Sequence, residues 1–455
     1  MTRDLRTFLD KLRAERPSDL LEIEREVSPR FETAAILVAL EEKQRTPTLW
    51  FHKVAGTSLP LITNVAGSTG RIALGLGVGL RDVGARYAAA VEAPKKPRLA
   101  ESAPIDERVL RGADVDLGQL PALVYHQDDS DRPYITAGIV VAQDPDTKLQ
   151  NLSYHRLMIA GPRTTGIFIE RGKHLDRIHQ KYARAGQPMP IAVFIGAPPA
   201  WSIGALYSGS AEVEEYDVIG GLLGEPLEVV PALSQPGLTV PARAEIVLEG
   251  FVPPEERILE GPFGEFTGYG TGAVETPVFH VTALRSRKDP LFQDIVSGRL
   301  EHLMLSMPAI EYRTTSEAKR ASANVSKVAL VAPFTAVVAL DKKDDREPLH
   351  IIETILSGDI YSKHVIVVDA GVDPQDLRQV MAAVALQVQA DRRLHLFPDR
   401  QGTPLDPSCP SADGKVTKMG IDATAPLKSS RAVTKNRIPA EILAQIDVAA
   451  LLKKR

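Results

Sequence analysis

Residues 134–159, YITAGIVVAQDPDTKLQNLSYHRLMI, contain two extended segments that flank a turn. Tyr134–Ala142 is β-branched and apolar, a composition that favours a strand. Asp144-Pro145-Asp146-Thr147 has the residue types of a turn, and Leu149–Ile159 resumes the extended pattern. The stretch therefore predicts a β-hairpin.

The chain downstream of this hairpin continues as short strands with few helices. One helix is predicted among them, over Lys173–Arg184. The predicted strands are Thr165–Ile169, Ile191–Ile195, Leu227–Val230, Glu245–Phe251 and Val278–Leu284. Many short strands with occasional helices are typical of a barrel-like β core with helical insertions.

On both sides of this core the pattern changes to alternating helices and strands, which is typical of α/β units. The tail, Pro439–Leu452, predicts an amphipathic helix that packs either on its own domain or on a second subunit. We therefore predict a mixed α+β and α/β fold. Its parts are an N-terminal α/β region over 1–105, the β domain over 106–303, a linking helix over 304–322, a C-terminal α/β domain over 323–438 and a C-terminal helix over 439–455.

The composition is that of an ordinary enzyme and argues against several other classes of protein. The chain has 455 residues, a net charge of −4 and one cysteine, Cys409. A general nucleic-acid binder would show a basic excess, and a single cysteine forms no intramolecular disulfide. The N-terminus lacks the apolar core of a signal peptide, and no apolar run is long enough to span a membrane. We therefore predict a cytoplasmic enzyme with no nucleic-acid partner and no membrane span.

The segment Glu260-Gly-Pro-Phe-Gly-Glu265 places two carboxylates on a backbone bent by glycine and proline. Two neighbouring carboxylates disfavour double ionisation, so one of them tends to keep a proton. An acid of raised pKa beside a group that stays charged is what the protonation of carbon requires. The alternative is a solvated turn with two ordinary surface glutamates.

The segment Asn151-Leu-Ser-Tyr-His-Arg156 carries polar residues in a predicted strand. Alternation puts Asn151, Ser153 and His155 on one face and Arg156 on the other. An arginine on a half-buried strand needs an anionic partner, which a glutamate or a substrate carboxylate supplies in bidentate form. The alternative is a strand whose arginine faces solvent.

His174 and Glu215 are candidate metal ligands, although neither lies in a spacing that identifies a zinc site. Together with Asn151 they would suit a hard divalent cation such as Mn2+ or Mg2+. The alternative for each is a surface or capping residue. The Gly-rich run Leu74–Leu80 has neither nucleotide-binding spacing, so it predicts a structural turn or a closely packed helix start.

Six ordered blocks of the chain resemble the UbiD family of decarboxylases, and the resemblance runs from about Leu5 to the C-terminal helix. The blocks are Asn151–Arg156, Glu215–Pro226, Glu260–Tyr269, Lys363–Asp369, Pro404–Ser408 and Lys418–Thr424. Many members read Asn-x-Gly-x-Tyr-Arg where this chain has Ser153 and His155. The class is unaffected by that difference, but the resemblance does not by itself imply a cinnamic-type specificity for this chain.

The resemblance implies a prenylated FMN cofactor, which a flavin prenyltransferase supplies and which a divalent metal and K+ hold through its phosphate. Asn151, His174 and Glu215 resemble the family's metal ligands. Lys363 resembles a lysine that reaches the cofactor. The full set of expected cofactor contacts is Asn151, Ser153, Tyr154, His155, Arg156, Lys173, His174, Glu215 and Lys363.

Arg156, Glu260 and Glu265 resemble the family's catalytic set. The resemblance implies that Arg156, paired with Glu260, positions the substrate carboxylate and that Glu265 protonates the carbon from which CO2 has left. The expected reaction is the reversible decarboxylation of an aromatic, heteroaromatic or α,β-unsaturated acid. Arg299 and His302 either contact a second polar group of that acid or face solvent.

The family's fold is expected here as well: a split β-barrel domain that binds the flavin, a linking helix, and a C-terminal α/β domain that mediates assembly into a homodimer or a larger homo-oligomer. Two alternatives remain open from the sequence. One is a flavin-dependent oxidoreductase on the same kind of barrel. The other is a non-catalytic flavin- or metal-binding protein.

Overall fold

The structure, a computed structural model, describes residues 3–235, 237–358, 360–410, 413–428, 436, 438–448 and 451. In its N-terminal unit, helices pack on a small sheet. The elements are α1 (Leu5–Glu15), β1 (Leu20–Ile23), α2 (Glu32–Glu41), β2 (Thr48–Phe51), β3 (Leu61–Thr63), α3 (Thr69–Leu76) and α4 (Val83–Glu92). β1 runs parallel to β2, and β3 runs antiparallel to β2. Asp4 and Thr7 form a capping box that begins α1.

The Gly-rich run lies at the end of α3. Gly77 has a φ of 68°, in the left-handed region that a residue with a side chain disfavours, and its N–H bonds back to the last turn of the helix. The prediction of a structural role for this run is confirmed.

The described residues of the central part of the chain are rich in strands and include three short α-helices. The elements are β4 (Arg98–Leu99), β5 (Arg108–Arg111), β6 (Tyr134–Ile135), β7 (Ile139–Gln143), β8 (Gln150–Tyr154), β9 (Leu157–Gly161), β10 (Thr164–Ile167), α5 (His174–Arg184), β11 (Met189–Ile195), α6 (Pro199–Gly204), α7 (Glu215–Leu223), β12 (Glu228–Pro231), β13 (Thr239–Pro241), β14 (Ile246–Val252), β15 (Arg257–Glu260), β16 (Phe263–Gly264), β17 (Gly270–Thr271), β18 (Val274–Ser286) and β19 (Phe292–Asp294). The main sheet has the order β6-β9-β10-β18-β14-β11-β7-β8, with β5 and β15 also on β18. Within the described residues β6 and β8 do not pair, so the barrel stays open, and the predicted mixed fold with a split barrel is confirmed.

The predicted hairpin forms between β7 and β8, with Ile139 opposite Tyr154 and Gln143 opposite Gln150. The outer ends of the two predicted segments also pair, as β6 with β9, with Tyr134 opposite Met158 and a one-residue shift of register relative to β7 and β8. Gly138 lies between β6 and β7, where a Cβ atom would come within 2.8 Å of Val193. The absence of a side chain there allows the close approach of β11.

The N-terminal unit and the barrel share a sheet, because β19 returns to pair with β3. Phe292 on β19 and Leu61 on β3 are both fully buried, so the pairing lies in an apolar core that spans the two parts. β19 thereby anchors the chain directly before the next helix, which lines the cavity described below.

The last part of the chain is a helix followed by an α/β unit. The elements are α8 (Leu300–Ala321), β20 (Val325–Ala332), β21 (Thr335–Leu340), α9 (Glu347–Gly358), β22 (His364–Asp369), α10 (Leu377–Gln387), α11 (Ala390–Arg393), β23 (Leu394–Gln401), β24 (Lys415–Ala423) and α12 (Ala440–Ala444). The sheet order is β20-β21-β22-β24-β23. The linking helix predicted over 304–322 begins earlier, at Leu300, because the acidic Glu301 suits a first turn and no breaking residue separates it from 304.

The tail helix predicted over 439–455 is interrupted in the described residues. α12 ends at Ala444, and Ile442, Leu443 and Ile446 are each about half exposed. Val448 and Leu451 are helical again, and the Leu451 N–H donates to the Asp447 carbonyl oxygen at 3.2 Å. Residues 449, 450 and 452–455 lie outside the described residues. In the part of the chain that the structure describes, no helix has the length and apolarity needed to cross a bilayer.

Candidate active site

A cavity of about 600 Å³ lies where the barrel, α8 and the C-terminal unit meet. The barrel contributes β8 and the start of α5, α8 contributes its first turns, and the C-terminal unit contributes the turn between β20 and β21. Every predicted site residue except Glu260 and Lys363 lies on its wall. The fold thus gathers segments that are far apart in the chain around one space.

Arg156 lies between β8 and β9 and forms a bidentate ion pair with Glu260. Its Nε donates to Glu260 Oε1 and its Nη2 to Oε2, both at 2.8 Å. Glu260 is fully buried at the end of β15 and does not line the cavity. Phe168 and Phe263 stack on the guanidinium, with ring centroids 4.2 and 4.7 Å from its carbon. Arg156, Glu260 and Glu265 are all buried. The alternatives of a strand whose arginine faces solvent and of a turn with two surface glutamates are therefore wrong.

Glu265 approaches the same arginine from the cavity wall. It accepts a hydrogen bond from Arg156 Nη1, and only 7% of its surface is exposed. Burial raises the pKa of Glu265, the negative charges of Glu260 and Glu170 raise it further, and Arg156 opposes them. One guanidinium compensates only one of two buried carboxylates, so a proton on Glu265 makes the three groups neutral together. The arrangement provides a neutral carboxylic acid at the cavity wall.

Asn151 and Glu215 lie in contact on another part of the wall. Asn151 Nδ2 donates to Glu215 Oε1 at 3.1 Å, and the Leu152 N–H donates to Glu215 Oε2 at 2.8 Å. Burial raises the pKa of Glu215 to about 8, and in the described residues no lysine or arginine pairs with it. A buried carboxylate beside an amide oxygen is a donor set that suits a hard cation.

The third predicted ligand, His174, is the first residue of α5 and lines the same cavity. Within the described residues no hydrogen bond joins it to Asn151 or Glu215. Of the described His, Cys, Asp and Glu side chains, the one group of three close enough for a metal is Glu22, Glu24 and His52 on the surface. The structure thus brings two of the three predicted ligands together and places His174 on the same wall.

Ser153 and His155 form a hydrogen-bonded pair beside Asn151. The His155 Nδ1 is 2.7 Å from the Phe168 carbonyl oxygen, which only accepts, so Nδ1 carries the hydrogen. Nε2 is then an acceptor for the Ser153 hydroxyl, 2.9 Å away. Burial lowers the pKa of His155 to about 4, so the ring is neutral. Tyr154, between the two, also lines the cavity.

The two lysines of the predicted set differ in position. Lys173 lines the cavity, with its Nζ 4.7 Å from the centroid of the Tyr361 ring. Lys363 does not line the wall, because its Nζ pairs with Asp406 Oδ2 at 2.5 Å and with the Ser408 hydroxyl. Lys363 therefore lies beside Asp406 and off the cavity wall, and the expectation that it reaches the cofactor stays a prediction.

Other wall residues were not singled out by the sequence. Phe266 makes edge contacts with Phe334 and Tyr361, and Tyr361 donates to Glu170 at 2.8 Å. These residues come from separate segments without a shared pattern. His302, one of two residues left open above, lines the cavity with its pKa lowered to about 4 by burial and by Arg156. The other, Arg299, pairs with Glu41 and is not on the wall.

Three family-level matches cover most of the chain. Residues 12–91, 98–300 and 311–423 match the N-terminal, Rift-related and C-terminal domains of 3-octaprenyl-4-hydroxybenzoate carboxy-lyase, the UbiD domains. A curated relative, anhydromevalonate phosphate decarboxylase of Methanosarcina mazei, is 32% identical over 442 residues, which is 96% of this chain and 99% of that one.

Two solved structures are similar over nearly their whole length. The UbiD-class enzyme HmfF of Pelotomaculum thermopropionicum in complex with FMN has a TM-score of 0.89 and 36% identity, covering 98% of this chain and 99% of that one. An evolved dimeric form of HmfF in complex with prenylated FMN has a TM-score of 0.87 and 33% identity, covering 99% and 100%.

Proposed function

The chain belongs to the UbiD family of carboxy-lyases, and we propose that it uses prenylated FMN to decarboxylate an aromatic, heteroaromatic or α,β-unsaturated carboxylic acid reversibly. The observation that carries the proposal is the buried group of Arg156, Glu260 and Glu265 at the wall of the cavity. This group combines a cation that can bind the substrate carboxylate, Arg156, with an acid that can protonate the substrate carbon, Glu265.

The residues on the wall fit such a cofactor. Asn151 and Glu215 offer oxygen ligands for Mn2+ or Mg2+, and we place His174 with them as the third ligand, with K+ nearby. Lys173, His174 and Arg177 surround the N-terminus of α5, where backbone N–H groups and positive charge favour a phosphate. Lys363 would join this set if its ammonium group left Asp406 and bound that phosphate. When bound, the modified flavin supplies the electron sink for decarboxylation.

Arg156 binds and orients the substrate carboxylate in this proposal. Glu260 occupies Nε and Nη2, so Nη1 is the donor directed toward the cavity. Glu265 releases Nη1 when it is neutral, because a neutral acid is a weaker partner for the guanidinium than a substrate carboxylate. The fixed pairing with Glu260 thereby leaves one donor edge for the substrate.

Glu265 supplies the proton that replaces CO2. The bond between the substrate carbon and its carboxylate breaks, CO2 leaves without the bonding electron pair, and Glu265 transfers its proton to the carbon that gained the pair. Glu265 then takes a proton from water. In the reverse direction the carboxylate of Glu265 removes the proton from that carbon. Burial and the negative charges of Glu260 and Glu170 raise the pKa of Glu265 and keep its neutral form available.

A substrate screen tests the proposed function and identifies the carboxylic acid that the enzyme uses. The chain is co-expressed with a flavin prenyltransferase, and CO2 release is measured for phenolic, furan- or pyrrole-type and fused-ring aromatic acids and for an unsaturated phosphorylated acid. We expect release from one of these classes only when the prenyltransferase is present. Flavin reduction by a nicotinamide without CO2 release would contradict the proposal and favour an oxidoreductase. The oligomeric state, which we propose to be a homodimer or larger, is measured on the same sample by light scattering.

Glu215→Gln tests the proposed metal site. We expect the apparent Kd for FMN in the presence of Mn2+ to rise at least about 10-fold, because an amide replaces the charged ligand. Fluorescence titration of FMN with and without Mn2+ measures this. Glu214→Gln is the matched control, since Glu214 is adjacent, accepts from the Gln150 N–H and does not line the cavity. A Kd that is insensitive to Mn2+ in wild type and unchanged in Glu215→Gln would remove Glu215 from the metal site.

A further inference from the structure

The loop that joins Glu260 to Glu265 makes three of its hydrogen bonds with one distant segment, residues 129–134. The Gly261 N–H donates to the Tyr134 hydroxyl at 3.1 Å, and the Gly264 N–H donates to Asp129 Oδ1 at 2.8 Å. Between them, the Ser130 N–H donates to the Pro262 carbonyl oxygen at 2.7 Å. One segment therefore contacts the loop next to both glutamates.

Tyr134 contacts the loop at the Glu260 end. It is fully buried, and its ring lies 4.5 Å from that of Phe263, centroid to centroid. Phe263 in turn stacks on Arg156. Burial, the charge of Glu260 and a hydrogen bond to it raise the pKa of Tyr134, so the hydroxyl stays protonated. Because the oxygen already accepts from Gly261, its hydrogen remains for the carboxylate of Glu260.

Asp129 contacts the loop at the Glu265 end. Its second oxygen accepts from the N–H and the Nδ1 of His126, at 3.0 and 2.9 Å, so the carboxylate is held on both sides. Gly264 packs directly on this pair, since a Cβ atom there would come within 2.7 Å of His126 Nδ1. The Ser297 hydroxyl donates to the Gly264 carbonyl oxygen from the other direction. The residue before Glu265 is thus fixed through its N–H and its C=O.

We propose that Tyr134 and Asp129 are positioning residues for the proposed reaction. Together they hold Glu260 and Glu265, which both contact Arg156 but have different roles. Tyr134 directs a hydroxyl hydrogen to Glu260, so Glu260 accepts from both Arg156 and Tyr134 while Glu265 carries the proton of the pair. Asp129 fixes the backbone from which the Glu265 side chain extends. The inference rests on the proposed function, since it concerns the same proton.

Tyr134→Phe tests the first half. Without the hydroxyl, the proton is partly held by Glu260, so the share of enzyme with a protonated Glu265 falls. We expect kcat to fall about 10- to 100-fold with KM little changed, because a hydrogen bond to a buried charge is lost. The basic limb of the pH profile of kcat should also move to higher pH, because an inactive singly protonated form now competes with the active one.

The charged and titratable groups that bear on this limb are Arg156, Glu260, Glu265, Glu170 and Tyr134 itself. Tyr182→Phe is the control: it removes a tyrosine hydroxyl that donates to the Gln143 carbonyl oxygen, at 3.3 Å, away from the cavity. A fall in kcat without a shift of the limb would reduce Tyr134 to a structural residue and overturn its half of the inference. An unchanged kcat would do the same.

Asp129→Asn is the second variant and keeps the inference testable if Tyr134→Phe fails to fold. The amide presents a donor to His126 where a carboxylate oxygen accepted, so one of the two contacts breaks. We expect a fall in kcat of about 10-fold or more with bound FMN retained, because the proton donor loses its alignment. Wild-type activity in Asp129→Asn overturns the Asp129 half. If wild type releases no CO2 from any acid, the proposed function fails instead, so the two failures are distinguishable.

Discussion

Glu265→Gln should lower the rate of decarboxylation by about 10²- to 10⁴-fold while the flavin stays bound, because an amide has no acidic proton to give to carbon. Hydrogen–deuterium exchange at the substrate carbon should disappear with it, since exchange uses the same transfer in both directions. CO2 release, exchange by NMR and the flavin absorbance of the purified variant measure the three quantities.

The role of Glu265 as proton donor also predicts how kcat of the wild type depends on pH. Because burial raises the pKa of Glu265 and the acid form is the active one, kcat for decarboxylation should fall as pH rises through that pKa. Glu256→Gln is the control, since Glu256 pairs with His280 outside the cavity and should retain wild-type kcat. Full activity or retained exchange in Glu265→Gln would remove Glu265 from the role of proton donor.

Arg156→Gln should abolish activity and also destabilise the protein by about 3–5 kcal/mol, because it leaves two buried carboxylates without their cation. Urea unfolding at pH 8 measures the loss of stability. The deficit relative to wild type should shrink as pH falls, since protonation of Glu260 and Glu265 removes the unpaired charge.

Arg285→Gln is a matched control for this variant. Arg285 is also buried and pairs with Glu249 at 3.0 Å and with Asp106 at 2.6 Å, away from the cavity. It should lose comparable stability but keep the kcat of the folded wild type. If Arg156→Gln were as stable as wild type, or retained activity, the carboxylate-binding role and the buried-charge argument would both be wrong.

The parts of the fold that were predicted from the sequence depend on residues close together in the chain. The apolar face of α1, the β7–β8 hairpin and the turn after α3 each follow from a pattern within a few residues. The tail is helical over Ala440–Ala444 with its apolar residues about half exposed, and a local pattern does not determine what packs on such a face. The predicted domain boundaries stay predictions.

For the candidate site, residue types and local spacing singled out Arg156, Glu260 and Glu265, and the resemblance to a family suggested their roles. On pattern alone the two glutamates were as compatible with a surface turn. Their burial, and the division of Arg156 between them, are properties of the assembled barrel, since Arg156 and Glu260 lie 104 residues apart. Lys363 pairs with Asp406, 43 residues further along the chain, a contact that the spacing around Lys363 does not indicate, and its reach to the cofactor stays a prediction.

The sequence by itself therefore determined the helices and hairpins whose patterns repeat locally, and it named a small set of chemically suitable side chains. Only the tertiary structure decided which of those side chains meet, which carboxylate is enclosed behind Arg156 and which faces the cavity, and that Asp129 and Tyr134 hold the loop between them. The physical reason is that propensity and periodicity act over a few residues, whereas burial, desolvation and the sharing of one cation by two carboxylates exist only after distant segments have packed together.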